Sequence, residues 1–327
     1  MQNTQESVLK TSILSEKLFS ILKWLIFGLI VWFSYQAISK EIDKISDLWN
    51  VLRDAINVEN TLKITILLLL ILVNWGIEAK KWQILASKIE NISFKSAFQS
   101  VLIGLSLGFV TPANLGDYAG KIWQLKSKNK TESVGAILLG NGIQFYVSLL
   151  FGEMAYLIIW RKEITIFDQI IFCLIAFALI LGVIIYHYRV KIIGYLPKIA
   201  WLKSFQNHFE MMLKFNSNEI GQLFMWSILR YLTFSLQFVL IFMIFKVNIH
   251  SIDLWAVSCL VFLFKTIVPA INFISDLGIR EYTALHFFSL FSVNISAVII
   301  ATFCLWFLNI LLPVIFGGLL VLRIKNK

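Results

Sequence analysis

The chain has 327 residues, of which 58% are hydrophobic and 15% charged, and its formal net charge is +10. A soluble domain is usually about half apolar and about a quarter charged, so the composition excludes an ordinary soluble protein. The Lys and Arg residues cluster between apolar runs, as in the loops of a membrane protein, and nucleic acid is therefore not expected as a partner. We predict a single integral membrane domain over residues 1–327, with a first half at about 1–160 and a second at about 161–327.

Several apolar runs approach the length of a membrane-spanning helix, and none has the alternating pattern of a lipid-facing barrel strand. They lie near residues 18–39, 62–79, 94–111, 133–160, 166–188, 221–245, 253–271 and 295–322. The segment 40–61 predicts a short solvated or interfacial helix. The segment 189–220 predicts either a helix on the membrane surface or an ordinary loop. The predicted fold is all-α, a polytopic bundle of membrane helices.

The distribution of positive charge separates two topologies. If all eight runs cross the membrane with the N-terminus inside, the two sides hold equal numbers of Lys and Arg, 12 each. If 94–131 and 253–292 are re-entrant hairpins, 18 lie inside and six outside, the six being Lys40, Lys44, Arg53, Arg161, Lys162 and Lys246. The positive-inside bias favours the second topology, which has six full spans, both termini in the cytoplasm and two hairpins that enter from opposite faces.

The first predicted hairpin contains GLSLGFVTPANLGDYAGK, an apolar run that is interrupted by polar and helix-breaking residues. Its candidate substrate-binding residues are Thr111, Pro112, Asn114, Gly116, Asp117 and Lys121. Pro112 removes a backbone donor, and a helix that begins near Asn114 or Gly116 would direct its N–H groups at an anion. Asp117 and Lys121 are four residues apart on one helix face. Lys121 either contacts a head-group phosphate or only neutralises Asp117.

The second predicted hairpin contains KTIVPAINFISDLGIREYTA, and its candidate residues are Asn272, Asp276, Gly278, Arg280 and Glu281. Charges at bilayer depth cost roughly 2.5–3.5 kcal/mol each, so they are functional candidates by default. Asp276 and Arg280 are also four residues apart, and Arg280 is suited to hold a phosphate with two hydrogen bonds. The alternative is a short extracellular loop in water. Both stretches contain Pro-Ala, then Leu-Gly, then an acid followed by Tyr, which indicates an inverted repeat although the spacings differ.

Further polar residues interrupt the other runs, and the candidate site includes Asn141, Gln144, Glu153 and Arg230. Glu153 is expected to carry a proton or to pair with Arg230 or Lys265. The alternative for each of these residues, and for Asn74, Glu78, Gln237 and Asn309, is a hydrogen bond between helices. No motif of a known catalytic or metal site occurs, so we predict no catalytic residue, metal or cofactor.

The stretch TPANLGDYAGK resembles the first signature of the lysylphosphatidylglycerol synthase transmembrane region, or flippase-like, family, a Pro-Gly-x-x-Gly-Glu run followed by an Arg. The stretch from Pro269 to Glu281 resembles its later Pro…Gly-Gly-x-Gly-x-x-Glu signature, and LWFLNILLPVIFGG resembles its last helix. Ala113, Asp117 and Lys121 stand where the family usually has Gly, Glu and Arg. The resemblance implies a protein of the bacterial inner membrane that translocates lipids or handles polyprenyl-linked glycans.

We therefore expect a flippase-like protein that binds or translocates an anionic lipid, either a phospholipid or a polyprenyl-phosphate-linked substrate, between two broken helices. The expected partners are membrane lipids with anionic head groups. No aminoacyl-transferase domain follows Lys327, so lysyl transfer is not expected from this chain. Two alternatives remain open. One is a membrane enzyme with Asp276 or Glu281 as general base, and the other is an accessory scaffold for a partner synthase of lipid-linked glycans or aminoacyl lipids.

Overall fold

The computed structural model describes residues 53–127, 130–160, 165–268 and 273–322. The predicted span at 18–39, most of the segment 40–61 and the candidate Asn272 lie outside these ranges. In the described residues the longer helices are α1 (Thr61–Ala86), α2 (Phe94–Val110), α3 (Leu115–Trp123), α4 (Ser133–Ile159), α5 (Ile166–Tyr195), α6 (Gln206–Leu213), α7 (Ser217–Ile244), α8 (Ser251–Ile267), α9 (Phe273–Phe288), α10 (Ile295–Trp306) and α11 (Leu312–Leu322). Short 3₁₀ turns lie at Val58–Asn60, Pro112–Asn114, Lys130–Glu132, Leu196–Lys198 and Ala200–Phe205.

Five helical segments in the described part of the chain are long and apolar enough to cross a membrane. They are Val58–Ala86, Ser133–Ile159, Ile166–Lys198, Ser217–Ile244 and Ile295–Val321. These segments coincide with five of the six predicted full spans, and the sixth is the run at 18–39. Helices α2 and α8 contain 17 residues each. At 1.5 Å per residue each is about 25 Å long, which is shorter than the ~30 Å hydrocarbon core of a bilayer.

The last span changes its helical geometry in the middle. A π-helical turn, Phe307–Leu311, joins α10 to α11, and Pro313 is the second residue of α11. Proline has no N–H to donate and its ring crowds the carbonyl four residues earlier, so one wider turn allows the helix to continue past it. In that turn Asn309 is fully buried, and its Nδ2 atom donates to the Leu305 carbonyl at 3.2 Å.

One end of the bundle is defined by contacts of the loop between α1 and α2 with the start of α7 and with the loop after α3. The Lys88 Nζ atom, after α1, lies 2.7 Å from Glu219 Oε1 at the start of α7. The Glu90 Oε2 atom accepts hydrogen bonds from the backbone N–H groups of Lys126 at 2.6 Å and Ser127 at 3.0 Å. The loop before α2 and the loop after α3 are therefore adjacent, so the chain leaves the α2–α3 pair at the end of the bundle where it entered.

The opposite end is defined by two other contacts. Asn60 Nδ2, before α1, donates to the Ile244 carbonyl at the end of α7 at 3.3 Å. The His286 Nε2 atom in α9 lies 4.0 Å from Asp168 Oδ1 in the first turn of α5. Helix α8 begins soon after α7 ends, and α9 finishes beside the start of α5. The α8–α9 pair therefore starts and finishes at this opposite end.

Glycines allow α2 and α3 to pack in direct backbone contact. A Cβ atom added at Gly116 would overlap the backbone of Leu107, and one added at Gly120 would overlap the backbone of Gly104. The two contacts lie one turn apart on each helix and run in opposite directions along the chain. Helices α2 and α3 are therefore an antiparallel hairpin that only residues without a side chain permit at these positions.

The segment 189–220, predicted as a helix on the membrane surface or a loop, contains helical residues and 3₁₀ turns. Helix α5 continues to Tyr195, two 3₁₀ turns follow, and α6 precedes the start of α7. Trp201 is 73% exposed, whereas Met211 and Phe215 are buried. The segment therefore packs one face on the bundle and leaves an aromatic side chain uncovered.

Candidate functional site

The break after α2 is a turn of two left-handed residues. Ala113 has φ 53° and Asn114 has φ 56°. The Thr111 Oγ1 atom accepts a hydrogen bond from the Gly116 N–H at 2.7 Å and donates to the Leu107 carbonyl at 2.9 Å. The helix ends where the sequence predicted. The Gly116 N–H, expected to be free for an anion, is instead occupied by Thr111.

Both ion pairs predicted from four-residue spacing are present. Lys121 Nζ lies 2.9 Å from Asp117 Oδ2 in α3, and Arg280 Nε lies 2.9 Å from Asp276 Oδ2 in α9. A third cation, Lys265 at the end of α8, lies 3.6 Å from Asp276 Oδ1. Lys121 and Arg280 are buried. Each hairpin therefore carries one acid and one buried base that pair within a single turn of its second helix.

A cavity of about 230 Å³, called the main cavity here, lies between the two broken segments. Both segments contribute to its wall, Asn114 from the first break and Asp276 from the start of α9. The other lining residues come from α1, α2, α4, α7, α8, α9 and the π turn, and are Trp75, Leu105, Phe109, Gln144, Ser148, Arg230, Tyr231, Phe234, Phe262, Lys265, Thr266, Arg280 and Ile310. Residues from both predicted stretches therefore line one cavity.

The charges that line the main cavity are unequal. Among the described residues, the cations Arg230, Lys265 and Arg280 face it together with one carboxylate, Asp276. The Arg230 Nε and Arg280 Nη1 atoms are buried and have no hydrogen-bond partner in the described part of the chain. Burying a donor without an acceptor is costly. An anion in this cavity would supply the missing negative charge, and it would accept from these two N–H groups once the guanidinium groups turned toward it.

A second group of charges, called the Glu78 cluster here, lies next to the main cavity. Glu78 Oε2 lies 3.4 Å from Lys81 Nζ and 3.4 Å from Arg230 Nη1, and Glu78 Oε1 lies 3.2 Å from Lys121 Nζ. Lys121 also pairs with Asp117, which completes the cluster. It joins α1, α3 and α7 through charges that are largely removed from solvent.

A small cavity of about 10 Å³ lies beside Glu78, and this volume is enough for about one water molecule. It is lined by Glu78, Lys81, Trp82, Leu85, Lys121, Ile137, Gly140 and Asn141. The main and small cavities are linked by the contact of Lys81 Nζ with Gln144 Oε1 at 2.7 Å.

Five of the predicted site residues line the main cavity, namely Asn114, Gln144, Arg230, Asp276 and Arg280. Lys121 and Asn141 line the small cavity instead, and Asn141 Nδ2 donates to the Tyr118 hydroxyl at 3.3 Å. Thr111 and Pro112 belong to the turn of the first hairpin, and Gly116 and Asp117 lie in the first turn of α3.

Three further predicted residues, Glu153, Gly278 and Glu281, also line neither cavity. The expected pairing of Glu153 with Arg230 or Lys265 is wrong, since those cations lie against the carboxylates of other residues. The Glu153 Oε2 atom is buried and makes no hydrogen bond within the described residues.

Several site residues were not singled out by the sequence. Glu78 was grouped with residues expected to link helices, and Lys81 and Trp75 were not among the candidates. Trp75 lies in the cavity wall with its ring 5.6 Å from the Arg230 guanidinium carbon. The three-residue spacing of Glu78 and Lys81 on α1 was a signal for their contact, whereas Lys121 and Arg230 meet Glu78 across helices that are distant in sequence. Among the described residues, no cluster of three or more His, Cys, Asp or Glu side chains is placed to hold a metal ion.

These observations define a multi-pass helical membrane protein with a charged cavity between two broken helical segments. The family model of the lysylphosphatidylglycerol synthase TM region matches residues 20–318, which is most of the chain. The chain belongs to this family, which relates it to lipid handling and confirms the resemblance seen in the sequence. A comparison with curated proteins found no match.

Proposed function

We propose that this protein binds the anionic head group of a membrane lipid in the main cavity and translocates the lipid between leaflets. The observation that carries the proposal is the charge of the cavity wall, three cations against one carboxylate, with two buried guanidinium N–H groups left without acceptors. Guanidinium groups match the geometry of phosphate oxygens, and a cavity of about 230 Å³ is large enough for a small phosphate-bearing head group.

The proposed topology has six spans, both termini in the cytoplasm and two re-entrant hairpins. The hydrogen bonds from Lys126 and Ser127 to Glu90 support it, because in the eight-span topology these loops would lie on opposite sides of the membrane. The ends of the α8–α9 pair support a second hairpin that enters from the other face. With the positive-inside bias, the proposal has the α2–α3 hairpin enter from the cytoplasmic side of a bacterial inner membrane.

Transport in this proposal uses the two hairpins as alternating barriers. Broken helices that meet near the middle of the membrane from opposite faces are typical of inverted-repeat transporters, where one half rocks against the other. Non-helical backbone at that depth needs protein or a wet cavity around it, and the main cavity adjoins the first break at Asn114. The lipid tails would remain in the bilayer while the phosphate passes through the cavity.

The test is a scrambling assay with purified protein in liposomes that contain fluorescent phosphatidylglycerol. Arg280→Gln removes a charge-assisted contact, each worth about 1.5–3 kcal/mol, and should weaken lipid binding about 10- to 100-fold and abolish scrambling. Arg189→Gln is the matched control, since Arg189 bonds on the surface to the Tyr186 carbonyl and to Ser217. Equal scrambling by Arg280→Gln and the control, or no scrambling by the unmodified protein, would contradict the proposal.

The enzyme hypothesis receives less support from the site. Asp276, one of its two proposed general bases, already forms ion pairs through both of its carboxylate oxygens. Oδ2 lies against Arg280 and Oδ1 lies against Lys265. Glu281, the other, does not line the main cavity. Chemical analysis of the labelled lipid after the scrambling assay separates the two functions, because transport leaves the lipid unchanged.

A further inference from the structure

The Glu78 carboxylate lies among more cations than one negative charge can balance. Lys81, Lys121 and Arg230 lie within 3.4 Å of its two oxygens, and the exposed fraction of the Glu78 side chain is 13%. The Glu78 Oε2 atom, which faces both Lys81 and Arg230, makes no hydrogen bond within the described residues. These two contacts are therefore ion pairs without hydrogen-bond geometry.

The three cations differ in what else they contact. Lys121 also pairs with Asp117 at 2.9 Å, and Lys81 donates to Gln144 Oε1 at 2.7 Å. Arg230 is held by no other carboxylate in the described residues, and its guanidinium lies near the ring of Phe234 at 5.4 Å. Arg230 is also the one of the three that lines the main cavity.

We propose that Glu78 is the counter-ion of Arg230 and that the phosphate of an entering head group replaces Glu78 as the partner of Arg230. Arg230 lies against Glu78 in the structure, and when a phosphate binds in the main cavity the guanidinium turns to the phosphate. Glu78 is then a positioning residue that competes with the lipid, sets its affinity and promotes its release. This inference rests on the proposed function.

The charges of the Glu78 cluster fit such an exchange. With Arg230 in place, three cations face the carboxylates of Glu78 and Asp117. After Arg230 has turned away, two lysines and two carboxylates remain, and the cluster is balanced. Leaving a buried carboxylate without a partner would be costly, and Lys81 and Lys121 prevent this. The extra cation in the cluster is therefore the one that can leave.

The exchange predicts opposite effects on binding and transport. Glu78→Gln removes the anion that competes for Arg230 and adds one unit of positive charge near the cavity. Because charges within about 4 Å interact strongly in a protein interior, we expect phosphatidylglycerol to bind about tenfold more tightly. Scrambling should slow at least about fivefold, since release of a more tightly bound lipid is slower. A residue that served only structure would weaken both.

The experiment measures two quantities in nanodiscs and liposomes, the apparent Kd for fluorescent phosphatidylglycerol and the scrambling rate. The matched control is Glu219→Gln, which breaks the surface pair of Glu219 with Lys88 at 2.7 Å and should leave both quantities within about twofold. If Glu78→Gln does not fold, Glu78→Asp is the alternative variant. Its shorter side chain keeps the negative charge but holds it farther from Arg230, so phosphatidylglycerol should bind about threefold more tightly.

The outcomes separate the two proposals. Unchanged or weaker binding in the folded Glu78 variant, while the unmodified protein binds the lipid, would overturn the exchange alone. If the unmodified protein binds no anionic lipid, the proposed function fails and the exchange fails with it. Tighter binding with slower scrambling supports both.

Discussion

Substitution of Gly116 by alanine tests the close packing on which the first hairpin depends. The added Cβ would lie 2.7 Å from the Gly108 nitrogen and would overlap the Leu107 carbonyl, whereas ordinary contact begins near 3.4 Å. The two helices would have to separate by at least roughly 0.7 Å, which backbone atoms cannot avoid by changing a rotamer. Overpacking of this kind usually costs about 1–3 kcal/mol, and we expect the free energy of unfolding to fall by that amount.

The assay is reversible unfolding in mixed micelles, followed by circular dichroism as denaturing detergent is added. Gly142→Ala is the matched control, because a Cβ at Gly142 in α4 meets nothing within 4 Å. In that open helical position alanine should raise the free energy of unfolding by up to about 1 kcal/mol. Equal unfolding curves for the two variants would refute the close packing of α2 on α3. Because Asn114 adjoins this packing, Gly116→Ala should also weaken lipid binding.

Two further predictions concern the turn and the topology. Ala113→Gly should raise the free energy of unfolding by about 0.5–1 kcal/mol. The left-handed conformation at φ 53° destabilises an alanine by about 1–2 kcal/mol. Glycine adopts it without that strain, and the additional entropy that glycine loses on folding is a smaller cost. A lower free energy of unfolding would contradict that account of the turn. In a background without the native cysteines, Lys126→Cys should react with an impermeant thiol reagent from the cytoplasmic side and Asn248→Cys from the outside. Labelling of residue 126 from outside would restore the eight-span topology.

The sequence predicted the helical membrane class and five spans of the described chain, because long apolar runs have few alternatives in lipid. It also predicted the break near Thr111 and the pairing of Asp117 with Lys121 and of Asp276 with Arg280, since both members of each pair lie on one helical turn. The acid that pairs with a base in the second hairpin is not the one that the sequence similarity between the two stretches aligned with Asp117. Asp276, rather than Glu281, has the place in the second hairpin that Asp117 has in the first.

The amino-acid sequence by itself determined where helices form, where they break and which charges pair within a turn, because these properties depend on neighbours along the chain. Only the tertiary structure decided that Glu78 gathers cations from three helices and that Lys121 belongs to this group rather than to the wall of the main cavity. Those contacts join residues as far apart as Glu78 and Arg230. They depend on how whole helices pack, which local spacing does not specify.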